Sequence, residues 1–380
     1  AQLLVHKRLE FTVKIPEPIV VHPGGDLAWK ARGDIPARPG IYRVVPTSGE
    51  SHISWTVSLQ RRSERLLKSF GGSVENPIQR IECWPTASKL DSSLLLYAIT
   101  REAFPKDYNR RLRLRPPWFL SFSHLDNFPQ LAVSNRIPDE NPCVLGPFGS
   151  RDLAQAFQEQ VLGMYQLRRC PGALAPSPDH PGCIYGEMNQ CLRPCQCAVT
   201  SEEYGTEAAR VVEFLSAAPT RVTGALSLAR QQASENLDFE QAAQIHKRLE
   251  KIKAALALRD DAITDARAFR GIAVARAYAD RSCYLRPMWD GIWQAPIVIS
   301  FQEGSERRSI DAEIRERLES ALAAPEKTGE RIDHLALFQR WYGSSWRDGE
   351  WFPFTASATV DYPRLVRRIS KLVSNTPASA

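Results

Sequence analysis

Two periods of apolar residues alternate along the chain, and each change of period marks an element. GIYRVVP and SHISWTVSL, either side of the turn-like TSGE, are rich in β-branched and aromatic residues and predict two short strands between Gly40 and Leu59. QRRSERLLKSF (60–70) then takes helical spacing, and IQRIECWPT (78–86) returns to a strand. SKLDSSLLLYAITREAF (88–104) is a second helix opened by a Ser or Asp cap. The stretch 116–135 is β-rich and leads through VLGPFGS into the helix SRDLAQAFQEQVLGMYQL (150–167). Residues 201–259, dense in Ala, Leu, Glu and Gln, are predicted helical. Residues 267–301 read as strands, followed by a mixed segment to about Arg368.

These elements make a multidomain α+β chain, and 380 residues suit two to four compact units. The predicted divisions are an irregular Pro- and Gly-rich lead-in (1–36), a mixed α/β domain (37–115) and a connecting β/helix region (116–166). A cysteine segment (167–200), a helical region (201–260), a mixed β-rich domain (261–370) and a disordered tail (371–380) follow. No internal repeat is visible. No run of apolar residues is long enough to span a membrane, and the opening AQLLVHKRLEFTVKIPEP lacks the apolar core of a secretory signal. A cytoplasmic location is therefore expected. The first residue is Ala1 rather than Met, so an upstream segment is expected to be missing.

Composition adds a charge bias: the formal net charge is +6, with basic runs at Arg110–Trp118 and Gln60–Lys68. Such stripes suit a phosphate backbone, and they equally suit a solvated basic face.

Five of the eight cysteines fall within 28 residues, at 170, 183, 191, 195 and 197. Cys170, Cys183, Cys191 and Cys195 are separated by twelve, seven and three residues in a loop bent by Pro and Gly. In a reducing compartment such a cluster points to a metal rather than to disulfides. Spacing alone does not choose iron–sulfur over zinc. Cys197 is a spare, His180 a weaker rival, and chance clustering of structural thiols the plain alternative. Downstream, ENLDFEQAAQIHKRLEKIK (235–253) carries Ala242, Ile245, Leu249 and Ile252, continued by Leu256 just beyond it, at three- and four-residue steps, one apolar stripe on a charged helix.

The segment LRRCP…CIYGEMNQCLRPC resembles the cysteine segment of the bacterial UvrC family, the C component of excinuclease ABC, with Met188 in pattern. Tyr185 stands one position early and Gly186 fills the tyrosine slot. The resemblance implies a [4Fe–4S] cluster on Cys170, Cys183, Cys191 and Cys195, with zinc as the alternative. The 235–253 helix resembles the UVR motif, a helical hairpin through which UvrC pairs with the excinuclease B subunit. That implies a B-subunit surface at Phe239, Ala242, Ile245, Leu249 and Ile252. DYNRRLR and VLGPFGSRDLAQAF look like the family as well.

Family members begin with a GIY-YIG nuclease domain, and here the resemblance is degenerate. PGIY is intact and supplies Tyr42, and Arg65, ten residues beyond Trp55, fits the arginine that stabilises phosphate charge. Asn109 sits at the spacing of the domain's terminal asparagine. Where the family has Tyr-x-Gly, this chain has Trp55-Thr56-Val57, and Tyr97 occupies the position of the metal-binding glutamate. A phenol is a poor ligand for Mg²⁺ or Mn²⁺. Glu102 would face away, about 140° round the helix. The resemblance thus implies an inactive GIY-YIG-like fold that still binds DNA, through Arg61, Arg62, Arg110, Arg111 and Arg113. The family's second nuclease and its helix-hairpin-helix module are also expected to be absent.

Three functions follow. The first is a non-catalytic UvrC-like DNA-binding protein of nucleotide excision repair, docked on the B subunit. The second is a Mg²⁺- or Mn²⁺-dependent single-site endonuclease with a remodelled site. The third is a zinc-stabilised interaction protein without a nucleic-acid role.

Overall fold

The structure, a computed structural model, describes residues 13–22, 35–70, 78–123, 127–138, 143–217, 219–260, 262–279, 281–300, 312, 314–318, 329–355 and 359–374. The chain divides into two compact units. One joins residues 1–115 to 270–380, and the other is 116–269. The tail assigned from sequence lies outside the described residues beyond Ser374.

The first unit opens on an antiparallel sheet of order β1-β4-β2-β3, formed by β1 (Ile19–Val21), β2 (Gly40–Pro46), β3 (His52–Thr56) and β4 (Ile78–Pro85). The lead-in expected to be irregular therefore supplies an edge strand. Three β-branched residues (IVV) pair with β4, and the Trp84 indole donates to the Pro16 carbonyl at 2.9 Å. Alternation sends the two faces of the sheet to different helices. Tyr42, Val44, Ile81 and Cys83 pack with Leu59 and Leu66 of α1 (Leu59–Phe70), whereas Ile41 and Trp84 pack with Leu95 and Ile99 of α2 (Lys89–Ala103). The strand predicted to reach Leu59 stops at Thr56. Ser58 caps α1 instead, its hydroxyl accepting from Arg61 N at 3.3 Å. The Ser88 hydroxyl caps α2 in the same way, accepting from Asp91 N at 3.0 Å. A short helix, α3 (Tyr108–Leu112), follows.

The same unit contains a second antiparallel sheet, β11-β10-β9-β13, from β9 (Gly271–Arg276), β10 (Ser282–Trp289), β11 (Ile292–Trp293) and β13 (Gly349–Pro353), with β12 (Ile297–Ser300) also on β10. One face of this sheet, through Ile272, Val274, Cys283 and Leu285, shares a core with Leu365 and Ile369 near the C-terminus. The two stretches that sequence treats as separate domains are stitched together. Asp91 accepts from the Tyr284 hydroxyl at 3.1 Å, and Lys89 N donates to Asp348 Oδ2 at 3.0 Å.

The second unit has the antiparallel sheet β6-β5-β7-β8, from β5 (Trp118–Ser123), β6 (Gln130–Ser134), β7 (Val144–Phe148) and β8 (Thr264–Asp265). Over it lies α4 (Arg151–Leu162), capped by Ser150. A short α5 (Ile184–Glu187) precedes α6 (Ser201–Ser216), whose Thr200 and Glu203 form a capping box. Helices α7 (Pro219–Glu235) and α8 (Phe239–Ala257) form an antiparallel hairpin around the turn at 236–238. Leu120, Phe122, Leu145, Phe148, Phe157 and Val161 share one core with Tyr204, Val211, Phe214 and Ile252. No described helix is long and apolar enough to cross a membrane.

Candidate functional site

The cysteine segment is a loop tied down at both ends. Arg168 is buried although charged. Its guanidinium donates to the carbonyls of Phe128 and Gly172, the latter at 2.9 Å, and of Cys170 at 3.3 Å. Arg168 N donates to the Tyr204 hydroxyl at 2.9 Å, and that hydroxyl donates on to the Pro129 carbonyl at 3.0 Å. Inside the loop, Ser177 N donates to Cys195 O at 3.0 Å, and Leu192 N to Gln166 O at 3.1 Å. Sequence reasoning passed over Arg168, since two adjacent arginines give no sign of which one turns inward.

Within this frame Cys191 and Cys195 are buried, while Cys170, Cys183 and Cys197 are exposed. Burial raises the Cys191 thiol above its usual range, and its neighbours Cys170, Cys183 and Cys195 raise it further. Cys195 is raised as well, by burial first and then by Cys170 and Cys183. Cys191 therefore lies near Cys170, Cys183 and Cys195, and Cys195 near Cys170 and Cys183. Among the described residues, however, no three His, Cys, Asp or Glu side chains converge as a single-ion site. Cys197 takes a left-handed backbone (φ 55°), and His180 spends Nδ1 accepting from Gly182 N at 3.0 Å. The displaced aromatic has a packing reason. A Cβ on Gly186 would lie 2.7 Å from Arg193 Cγ, and Tyr185, one place earlier, lies under the Arg169 guanidinium at 4.8 Å.

On the hairpin, Phe239 is exposed, Ala242 and Ile245 are half-buried, and Leu249 and Ile252 are buried. Ile252 belongs to the unit's own core, so the expected stripe splits. Its C-terminal half packs inward, and its N-terminal end points to solvent beside Leu237, which is 73% exposed.

In the first unit, Tyr42 is buried and Arg62, not Arg65, covers its ring, with the guanidinium carbon 5.0 Å from the centroid. Arg65 and Asn109 are exposed, and Trp55 is 40% exposed opposite Ile41. Tyr97 is buried, and its hydroxyl donates to Asp333 at 2.9 Å. Asp333 lies on α9 (Arg331–Tyr342). Arg101 donates to the same phenol at 2.6 Å and pairs with Glu330. Burial above all, with the Asp333 charge second, holds the Tyr97 phenol far above its usual pKa, so it stays neutral. Of the basic residues, Arg61, Arg110, Arg111 and Arg113 are exposed; Arg110 pairs with Asp107 at 3.1 Å, and Arg111 with Glu50 at 2.6 Å and Asp107 at 2.9 Å.

Residues 118–214, which include the tethered cysteine loop, match the family described as UvrC/Cho excinuclease, middle domain. Residues 221–255, the α7–α8 hairpin, match the UvrB/uvrC motif. The middle of this chain is thus similar to UvrC-family proteins. The UvrABC system protein C of Nitrosomonas europaea is 24% identical over 227 residues, 58% of this chain and 37% of the relative. That of Alkalilimnicola ehrlichii is 26% identical over 227 residues, 57% of this chain and 36% of the relative. The matched part thus spans little more than a third of these curated UvrC relatives. No solved structure matches the chain significantly. The UvrC-type region coincides with the second unit but for its ends, and the motif match covers both helices of the hairpin, where sequence singled out only 235–253.

Proposed function

We propose that the chain is a non-catalytic UvrC-type protein of nucleotide excision repair. It binds DNA, docks on the excinuclease B subunit through the tip of its α7–α8 hairpin, and carries an iron–sulfur cluster on Cys170, Cys183, Cys191 and Cys195. The first sheet with α1 and α2 is, in this reading, a GIY-YIG-like fold retained without its chemistry. Tyr97 is the observation that carries the proposal. The position that should offer a carboxylate to a divalent ion offers a neutral phenol, hydrogen-bonded to the chain's own Asp333.

The donor set, four thiols on one loop, suits a soft metal centre, and the family resemblance favours an iron–sulfur cluster over zinc there. Such a cluster would supply fixed positive charge that keeps the cysteines as thiolates. Arg168 would hold the Cys170 end of the loop in place, and the Ser177–Cys195 bond would hold the other.

A second reading, a single-site endonuclease with a remodelled site, draws on the two carboxylates, Glu330 and Asp333, beside Tyr97. One experiment separates the two: incision of lesion-bearing duplex preloaded with the excinuclease A and B subunits, in Mg²⁺ and then Mn²⁺. No nick from protein with intact iron and sulfide content is the expected result. A specific nick that disappears in Arg65→Ala would overturn the non-catalytic reading.

A further inference from the structure

The second unit contains a groove that no sequence motif indicated. Its volume is about 1260 Å³, and it runs between the end of α4, one side of α6 and the base of the α7–α8 hairpin. Five cations line it: Arg210 on α6, Arg221 on α7, and Lys247, Arg248 and Lys251 on α8. Two carboxylates share the lining. One of them, Glu207, is already spent, accepting from Gln166 N at 3.0 Å and bridging Arg210 at 3.2 Å. Among the described residues, Arg221, Lys247 and Lys251 have no ion-pair partner. Lys247 and Lys251 are one helical turn apart and repel each other unless an anion lies between them. Tyr165 stands half-buried in the wall against Phe214, ring centroids 5.9 Å apart, near the Arg248 side chain.

We propose that this groove binds the sugar–phosphate backbone of single-stranded DNA, with Tyr165 as a stacking surface for a base. The inference rests on the DNA-binding reading above and assigns it a place. Unpaired cations beside an aromatic, in a concave channel, are what a sequence-tolerant single-strand site requires. The cavity exceeds the roughly 300–1,000 Å³ of ordinary small-molecule pockets, which favours a polymer over a metabolite. A protein partner is less suited. The two most exposed large apolar residues of the hairpin, Leu237 and Phe239, are at its tip, and Leu228 does not line the groove, which lies at its base.

The test is fluorescence anisotropy of a labelled oligothymidine of about 15 nucleotides with the full chain over a salt series. Arg221→Ala/Lys247→Ala/Lys251→Ala changes only exposed side chains, and an unchanged melting curve verifies the fold. Loss of three phosphate contacts should weaken binding at least tenfold at about 0.1 M salt and lower the slope of log K against log salt by about 2. Tyr165→Leu should weaken binding about tenfold with the slope unchanged. Unchanged affinity and slope in the triple variant would overturn the groove. So would tighter binding of duplex that the triple variant weakens equally, or loss of B-subunit binding with single-strand affinity kept. If binding instead falls only in Arg61→Ala/Arg110→Ala/Arg113→Ala, the groove inference fails while the DNA-binding reading survives. If the unaltered chain binds no DNA, both fail.

Discussion

Tyr97 and Asp333, 236 residues apart, share a hydrogen bond of 2.9 Å, and the Tyr108 hydroxyl donates to the same Asp333 oxygen at 2.7 Å. Arg101 closes the group by donating to Tyr97 and pairing with Glu330. The position at which the family resemblance expects a metal carboxylate has thus become part of a buried polar contact with α9. Both carboxylates beside Tyr97 are engaged by protein donors.

Tyr97→Phe should keep the ring packing and remove one donor to Asp333 and one acceptor for Arg101. Equilibrium denaturation should show a loss of about 1–3 kcal/mol, since the buried partners are left short of a bond. Tyr97→Glu restores the carboxylate in name only, because it adds a third negative group beside Asp333 and Glu330. It should be less stable than Tyr97→Phe and acquire no Mg²⁺-dependent cleavage. Cleavage in that variant would mean that the tyrosine alone silences the site.

His334 makes the same contact sensitive to acid. It is fully buried, and its Nδ1 accepts from Trp293 N at 3.0 Å. Burial first, then the charges of Arg286 and Arg101, push its pKa from 6.5 down to about 3. The unfolded chain takes up a proton near pH 6.5, whereas the folded chain resists until about 3. The contribution of this group is therefore full above about 6.5 and shrinks as pH falls, by up to about 1.4 kcal/mol per pH unit. Melting curves from about pH 7 to about pH 5 should show a steep fall that His334→Gln flattens, since Gln still accepts from Trp293 N but does not titrate. Parallel curves would place the acid sensitivity elsewhere.

On the hairpin, packing can be tested apart from the proposed docking. Leu249 is 1% exposed, so Leu249→Glu buries a charge and should unfold the hairpin. Phe239, 65% exposed at the tip, can become Glu without loss of stability. Phe239→Glu should keep the circular dichroism and thermal melt of the parent chain while losing the excinuclease B subunit in a pull-down or by calorimetry. Retained binding would put the docking surface elsewhere than the tip.

What sequence revealed and what it hid follow from range. Strands β2 and β4 and helices α1, α2, α4 and α8 were legible because period and cap lie within a dozen residues, as Ser88 and Ser150 illustrate, whereas the hairpin entered only through the family resemblance. Strand β1 was hidden, since three residues in a proline-rich lead-in carry no period and only β4 defines them. The apolar stripe of α8 showed that something covers it, not what does. The structure divides it between Ile252 in the core and Phe239 in solvent. The partner of Tyr97 lies too far along the chain for any local pattern to announce it, and Arg168 resembles any surface arginine until its three carbonyl partners are in view.

Arg168 gives the sharpest test of the cysteine loop that leaves every thiol in place. Its planar fork satisfies carbonyls at Phe128, Cys170 and Gly172 at once, so it fixes the backbone from which Cys170 projects. A lysine ammonium retains the charge and most of the length but is a point donor that cannot reach three diverging acceptors. Arg168→Lys should therefore leave buried carbonyls unsatisfied, cost about 1–3 kcal/mol, and lower iron and sulfide per chain together with the visible charge-transfer absorbance. Cys191→Ser should abolish that absorbance, because it removes a ligand rather than a support. Cys197→Ser, outside the family pattern and exposed, should change neither iron content nor melting temperature. Full loading in Arg168→Lys would assign the arginine to packing alone, and full loading in Cys191→Ser would remove the four-cysteine cluster.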